Sequence, residues 1–268
     1  MADRIFSAAP PADARIANGS DPLQFGDLRL PAGEGPHAVA VVVHGGFWRS
    51  KYDLEHIGHL CAALTAAGIA TWNVEYRRLG DEGGGWPNTM LDVGAATDHL
   101  REIAGEHNLD LARAITVGHS AGGHLAVWTA SRHRVPETSK LYMPEPLPLV
   151  GTVSLAGVLD LRTAWEMKLS NNVTQEFMGG TPNDVPERYA AASPVELLPI
   201  GIKQVVIHGT ADPNVPYSIS KIYADRAREQ GDDPKLVSLK DAGHFELIDP
   251  QSKECAVVID EVRALLGV

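Results

Sequence analysis

The chain is poor in cysteine, has no long apolar run and carries no concentration of positive charge, and each shortage removes a class of function. Two cysteines, Cys61 and Cys255, stand among 268 residues. Both lie in apolar helical stretches without a metal-type partner nearby in sequence, so they read as buried free thiols. No stretch is long enough to span a membrane, and residues 1–22, rich in Ala, Pro and Asp, lack the apolar core of a signal peptide. A cytoplasmic protein without membrane association is the expectation. Basic residues number 23 against 34 acidic ones, a net charge of −11, with no basic cluster. Nucleic acid and anionic membrane are therefore not expected partners. No H-E-x-x-H segment occurs, and His56 and His59 have no further ligands close by, so no metal site and no cofactor are expected.

What is present is an alternation of strand and helix signals without internal repeats. Residues 25–30 and 37–44 read as strands joined by the turn Pro31-Ala32-Gly33-Glu34-Gly35-Pro36. The run Ala38-Val39-Ala40-Val41-Val42-Val43 is apolar throughout, as in a strand covered on both faces. Helices are expected near 53–67, 89–106, 123–130, 217–230 and 251–266. Strands are expected at 69–74, 114–119, 149–155, 203–208 and 235–239. The pattern implies one α/β domain over residues 1–268, with a mostly parallel central sheet and helices on both faces. The interval 160–200 breaks the rhythm with short helical pieces and prolines. It reads as a small inserted cap segment over the carboxyl edge of the sheet, where ligands bind in such folds.

The most informative segment is Gly118-His119-Ser120-Ala121-Gly122. It is a G-x-S-x-G pattern placed directly after a strand and directly before a helix. That context puts Ser120 on a sharp strand-to-helix turn at the top of the sheet, and small neighbours let strand and helix approach. A serine hydroxyl is a weak nucleophile at neutral pH and needs a base, which in turn needs an orienting acid. In chain order Asp212 follows one strand within His208-Gly209-Thr210-Ala211-Asp212-Pro213-Asn214-Val215-Pro216, and His244 follows the next within Asp241-Ala242-Gly243-His244-Phe245. Ser120, Asp212 and His244 are thus the expected catalytic set. Asp160 competes for the acid position but reads better as a helix N-cap, and Asp241 is too close along the chain to His244.

Acyl transfer passes through a transition state with negative charge on oxygen, which backbone N–H groups stabilise. One donor is expected from Ala121. The others are expected from His44-Gly45-Gly46-Phe47-Trp48 at the end of the buried strand, with Gly46 and Phe47 as the donating amides. Trp48 and His119 are the expected substrate contacts, and Trp86, Trp128 and Trp165 are further aromatics for a pocket.

These residues together resemble the α/β-hydrolase superfamily over nearly the whole chain. Within it, the His44–Trp48 and Gly118–Gly122 segments look like carboxylesterases related to hormone-sensitive lipase, and more like the kynurenine formamidase (arylformamidase) branch. Phe47 stands where the lipase relatives have a third glycine and where the formamidase branch has an aromatic. Glu75-Tyr76-Arg77-Arg78-Leu79, Gly157-Val158-Leu159-Asp160-Leu161 and His244-Phe245-Glu246-Leu247-Ile248 are also similar to segments of those enzymes. The resemblance implies a serine hydrolase cleaving small or aromatic carboxylic esters through an acyl-enzyme, with arylformamidase activity as the alternative. A small-molecule ester or amide is the expected partner, and a homodimer is left open. The rivals are a non-hydrolytic enzyme on the same fold, a catalytically silent binding protein and a peptidase.

Overall fold

An apolar run such as Ala38–Val43 has no polar face to give to water, and the fold buries it completely. The structure, a computed structural model, describes residue 5 and residues 7–268. Its strands are β1 (Ala14–Ala17), β2 (Phe25–Arg29), β3 (His37–Val43), β4 (Ala70–Val74), β5 (Leu109–His119), β6 (Gly151–Leu155), β7 (Lys203–Gly209) and β8 (Lys235–Leu239). They form one sheet in the order β1-β2-β4-β3-β5-β6-β7-β8. Pairing is parallel from β4 to β8, and antiparallel between β1 and β2 and between β2 and β4. This is the α/β-hydrolase fold, with the strand ends after β3, β5, β7 and β8 gathered along one edge.

The helices are α1 (Glu55–Ala66), α2 (Asn88–Asp98), α3 (Leu100–Ile103), α4 (Ala121–Ala130), α5 (Leu161–Glu166), α6 (Leu169–Met178), α7 (Pro186–Ala192), α8 (Tyr217–Glu229) and α9 (Lys253–Leu266). Alternate residues of β3 serve opposite faces, as the strand repeat requires. Val39, Val41 and Val43 join Trp72, Met90, Val93 and Leu125, the side of α2 and α4. Ala38, Ala40 and Val42 join Ile57, Leu60, Leu64, Val258 and Val262, the side of α1 and α9. All ten residues of α4 are buried, so this helix is a core element with no solvent stripe.

One feature departs from the sequence expectations and two add to them. The turn at 31–36 does not close a hairpin: β2 pairs with β1 and β4, and β3 lies beyond β4. The strand β1 carries almost no pattern of its own. Its pairing places Arg15 opposite Asp27, where Nε and Nη2 donate to the carboxylate at 2.7 and 2.9 Å. The long helix expected over 89–106 is interrupted at His99 into α2 and α3, and β5 begins at Leu109. Between β6 and β7, residues 161–197 form α5, α6, α7 and a short 3-10 turn. Within α6, Ser170, Asn171 and Asn172 hold positive φ, so regular helix begins only at Val173. Asp160 caps α5, accepting from Thr163 N–H at 3.0 Å and Thr163 Oγ1 at 2.7 Å.

The elbow depends on how closely α4 approaches the sheet. A Cβ at Gly122 would overlap the carbonyl oxygens of Val43 and His44, at the end of β3. Replacing Gly122→Ala is therefore expected to cost on the order of 3 kcal/mol, read as a lower urea midpoint at unchanged slope. A variant as stable as the parent would contradict this packing.

Candidate active site

Ser120 occupies a backbone conformation that side chains seldom adopt, φ 58° and ψ −121°. Strain of this kind costs about 1–3 kcal/mol and persists only where its surroundings fix it. Here Ser120 N–H donates to Leu155 O at 2.8 Å, and Ser120 O accepts from His124 N–H at 3.2 Å. The serine is thus tied to β6 on one side and to the first turn of α4 on the other.

The turn after β3 is also strained, with Gly46, Phe47 and Trp48 all at positive φ (112°, 54° and 56°). A Cβ at Gly45 would stand 2.8 Å from His119 O and 3.0 Å from the Ser120 Cβ, so glycine lets this turn press against the elbow. Among the described residues, the N–H groups of Gly46, Phe47 and Ala121 donate to no protein acceptor. Behind the turn lies a buried polar cluster. His44 Nε2 lies 3.0 Å from Glu75 Oε1 and Nδ1 2.8 Å from Gly45 O, while Tyr76 O–H donates to His44 O at 2.7 Å. Burial alone would raise the Glu75 carboxyl, but His44, Arg78 and the Tyr76 N–H outweigh it and hold it below the usual carboxylate range.

Asp212 and His244 meet at the same edge. His244 Nδ1 donates to Asp212 Oδ2 at 2.6 Å, while Asp212 Oδ1 accepts from Asn214 and Val215 N–H at 2.8 and 2.9 Å. His208 Nε2, which donates to Val215 O at 2.9 Å, lies 3.2 Å from Asp212 Oδ2. Burial opposes ionisation of Asp212, yet the bonds from His208, His244 and the Val215 N–H hold its carboxyl well below the ordinary value. Ser120 and His244 line one cavity of about 70 Å³ together with Gly46, Phe47 and His119. Its remaining wall is Tyr52, His56, Asn214 and Phe245, none of which was expected to face substrate. Asn214 and Phe245 are neighbours of the expected acid and base and were within reach of the sequence reading. Tyr52 and His56 carry no motif. A larger cavity of about 530 Å³, between Thr129, Leu147, Leu149 and Ile200, contains none of the candidate residues.

Of the two expected substrate contacts, the structure takes Trp48 away from the cavity and leaves His119 on its wall. Trp48 is fully buried and turned into the core: its ring stacks on Phe177 at 4.7 Å, and Nε1 donates to His124 Nδ1 at 3.2 Å. A buried indole N–H needs an acceptor, and His124 supplies it. His119 borders the cavity but commits both ring nitrogens to protein, with Nε2 donating to His244 O at 2.9 Å and Nδ1 accepting from His56 Nε2 at 3.1 Å. Trp128 is likewise core, donating to Ala191 O. Cys61 and Cys255 are buried and unpaired as disulfides, and burial pushes both thiols up to about 12. Among the described residues no group of three or more His, Cys, Asp or Glu side chains is placed to hold a metal ion. No helix among them is long and apolar enough to cross a membrane.

A family model described as BD-FAE matches residues 27–226. Esterase LipQ of Mycobacterium tuberculosis is 25% identical over 196 residues, 72% of this chain and 46% of LipQ. The probable isoprenylcysteine alpha-carbonyl methylesterase ICME of Oryza sativa subsp. japonica is 24% identical over 243 residues, 87% of this chain and 58% of ICME. The chain thus spans about half the length of the curated relatives it matches. The solved esterase B of Lactobacillus rhamnosis superposes with a TM-score of 0.84 at 17% identity, covering 99% of this chain and 90% of that one. That likeness is one of fold.

The buried histidines make stability depend on pH in a defined direction. Burial holds His56 down to about 3, His124 down to about 4 and His119 well below its ordinary value, so all three are neutral when folded. In the unfolded chain they take up protons below about pH 6.5, and the state that binds more protons gains as pH falls. Stability is therefore expected to be full above about pH 6.5 and to fall toward pH 4, by about 2 kcal/mol per histidine at pH 5. Urea midpoints measured at pH 7 and pH 5 check this, and equal values would contradict it.

Proposed function

The chain belongs to the BD-FAE family, and we propose that it is a serine carboxylesterase acting through an acyl-enzyme at Ser120. The observation that carries this reading is the 2.6 Å bond from His244 Nδ1 to the ionised Asp212, on a loop that shares one cavity with the strained Ser120. A His held at Nδ1 by a carboxylate presents its Nε2 as the base. In the proposed cycle the Ser120 Oγ attacks the ester carbonyl carbon and its proton passes to His244 Nε2. The developing oxyanion is held by the unpartnered N–H groups of Phe47 and Ala121, with Gly46 beside them. His244 then returns the proton to the departing alkoxide as the C–O bond breaks. Water, deprotonated by His244, attacks the acyl-enzyme; the bond between the acyl carbon and Ser120 Oγ breaks, His244 returns the proton to Oγ, and the acid leaves. The mechanism asks for no metal and no cofactor.

The size of the cavity favours a short acyl group, and Phe47, Tyr52 and Phe245 give it aromatic walls. The same dimensions favour a second reading, hydrolysis of N-formyl aryl amides, in which formyl is the acyl group and Phe47 faces the aryl amine. The buried free thiols favour a reducing, cytoplasmic setting.

A panel of p-nitrophenyl esters from acetyl to octanoyl, run beside N-formylkynurenine, is expected to show turnover concentrated at the shortest acyl groups. Formamide cleavage exceeding ester cleavage would move the assignment to the second reading. Ser120→Ala is expected to abolish turnover and labelling by a fluorophosphonate. Asp212→Asn is expected to lower kcat by about 10³–10⁴-fold, because the orientation and tautomer of His244 are lost. Full labelling in Ser120→Ala would remove the serine from the mechanism.

A further inference from the structure

His119 occupies the variable position of the elbow, where side chains of many kinds fit a G-x-S-x-G turn. Here it is fully buried and joins three elements: the end of β5, the loop after β8 and α1. Its Nε2 lies 2.9 Å from the carbonyl oxygen of His244, on the loop after β8. Its Nδ1 lies 3.1 Å from Nε2 of His56, on α1, the helix that follows the strained turn of Gly46 and Phe47.

The direction of these bonds follows from the chemistry of the groups. A backbone carbonyl only accepts, so His119 carries its proton on Nε2. The neutral ring then accepts at Nδ1, and His56 must donate from its own Nε2. The result is a one-way chain from His56 through His119 to the main chain of His244. Ring packing reinforces it, with His56 and His119 stacked at 5.3 Å and His119 and His244 tilted at 4.5 Å.

We propose that His119 is a positioning residue for the base, tying the backbone of His244 to the elbow that carries Ser120 while His56 locks the ring that makes the tie. This role rests on the hydrolase reading, since it is His244 acting as base that needs a fixed pivot. The bond to Asp212 holds the His244 ring at Nδ1 but does not reach its main chain. A ring held there can still shift with its main chain, and a displacement of about 1 Å can cost about 100-fold in rate. The His119 bond removes that freedom at the other end of the residue. His119 does not touch substrate through a polar atom, because both nitrogens are already used.

The test compares wild type, Ser120→Ala, His119→Leu and His119→Gln on p-nitrophenyl acetate, with a thermal melt of each. His119→Leu is expected to lower kcat about 10–100-fold with KM within about twofold, while still unfolding cooperatively. His119→Gln, whose side-chain amide places a donor near the Nε2 position, is expected to recover most of that loss. A His119→Leu kcat within threefold of wild type overturns the role, as does a His119→Gln variant no better than His119→Leu. If wild type turns over no ester or formamide, the hydrolase reading fails instead. The tie is then judged by long-range 15N–1H spectra of the wild-type histidines at pH 7. A His119 ring in the Nε2–H tautomer supports it, and the Nδ1–H tautomer overturns it.

Discussion

The start of α4 is pressed against the end of β3, and the arrangement of the site follows from that contact. Gly122 lies so near the carbonyl oxygens of Val43 and His44 that no side chain fits between them. For α4 to begin there, the chain must turn within a single residue after β5, and Ser120 takes up the turn at φ 58°. The same proximity brings the turn after β3 alongside the elbow, where Gly45 meets His119 O and the Ser120 Cβ. A nucleophile and a set of unpartnered amides are thereby placed together by main-chain packing before any catalytic side chain is considered. Strain at Ser120, Phe47 and Trp48 is held in place by a core in which every residue of α4 is buried.

Around this frame the fold buries several polar side chains against defined partners, which is the condition for polar groups to fix geometry. Asp212 accepts two backbone N–H groups on one oxygen and faces His244 and His208 with the other. Glu75 collects His44, Arg78 and the Leu54 and Tyr76 N–H groups behind the strained turn. His124 links Trp48 to Ala192, joining the same turn to the end of α7. Arg49 reaches Glu176 at 3.0 Å and so connects the turn to α6. Rigidity is distributed over several independent anchors, each from a different element.

The parts of the fold set by long-range periodicity were legible in the sequence. Ser120, Asp212 and His244 each follow a strand, so a parallel sheet delivers them to one edge whatever the details of the loops. Parts that depend on local handedness were not legible. Trp48 follows two glycines and a phenylalanine in a left-handed turn, and the turn, rather than the spacing, sends its indole into the core against Phe177. His119, also expected at substrate, does border the cavity, but His56 and His244 take up its two ring nitrogens, a pairing across elements that spacing along the chain does not reveal. Tyr52 and His56 reach the cavity from the segment after the strained turn and the first turn of α1, positions that no motif marks. The strand β1, Ala-Arg-Ile-Ala, has a single β-branched residue and becomes a strand through its partner β2.

The central claim is that Ser120 Oγ, the amides of Phe47 and Ala121, and the His244–Asp212 pair act on one carbonyl. A crystal structure of the protein after reaction with a p-nitrophenyl alkylphosphonate addresses all of them in a single measurement. The expected result is phosphorus bonded to Ser120 Oγ, the phosphonyl oxygen about 3 Å from the nitrogens of Phe47 and Ala121, and His244 Nδ1 still on Asp212. An unmodified Ser120, or a phosphonyl oxygen turned away from both amides, would contradict it.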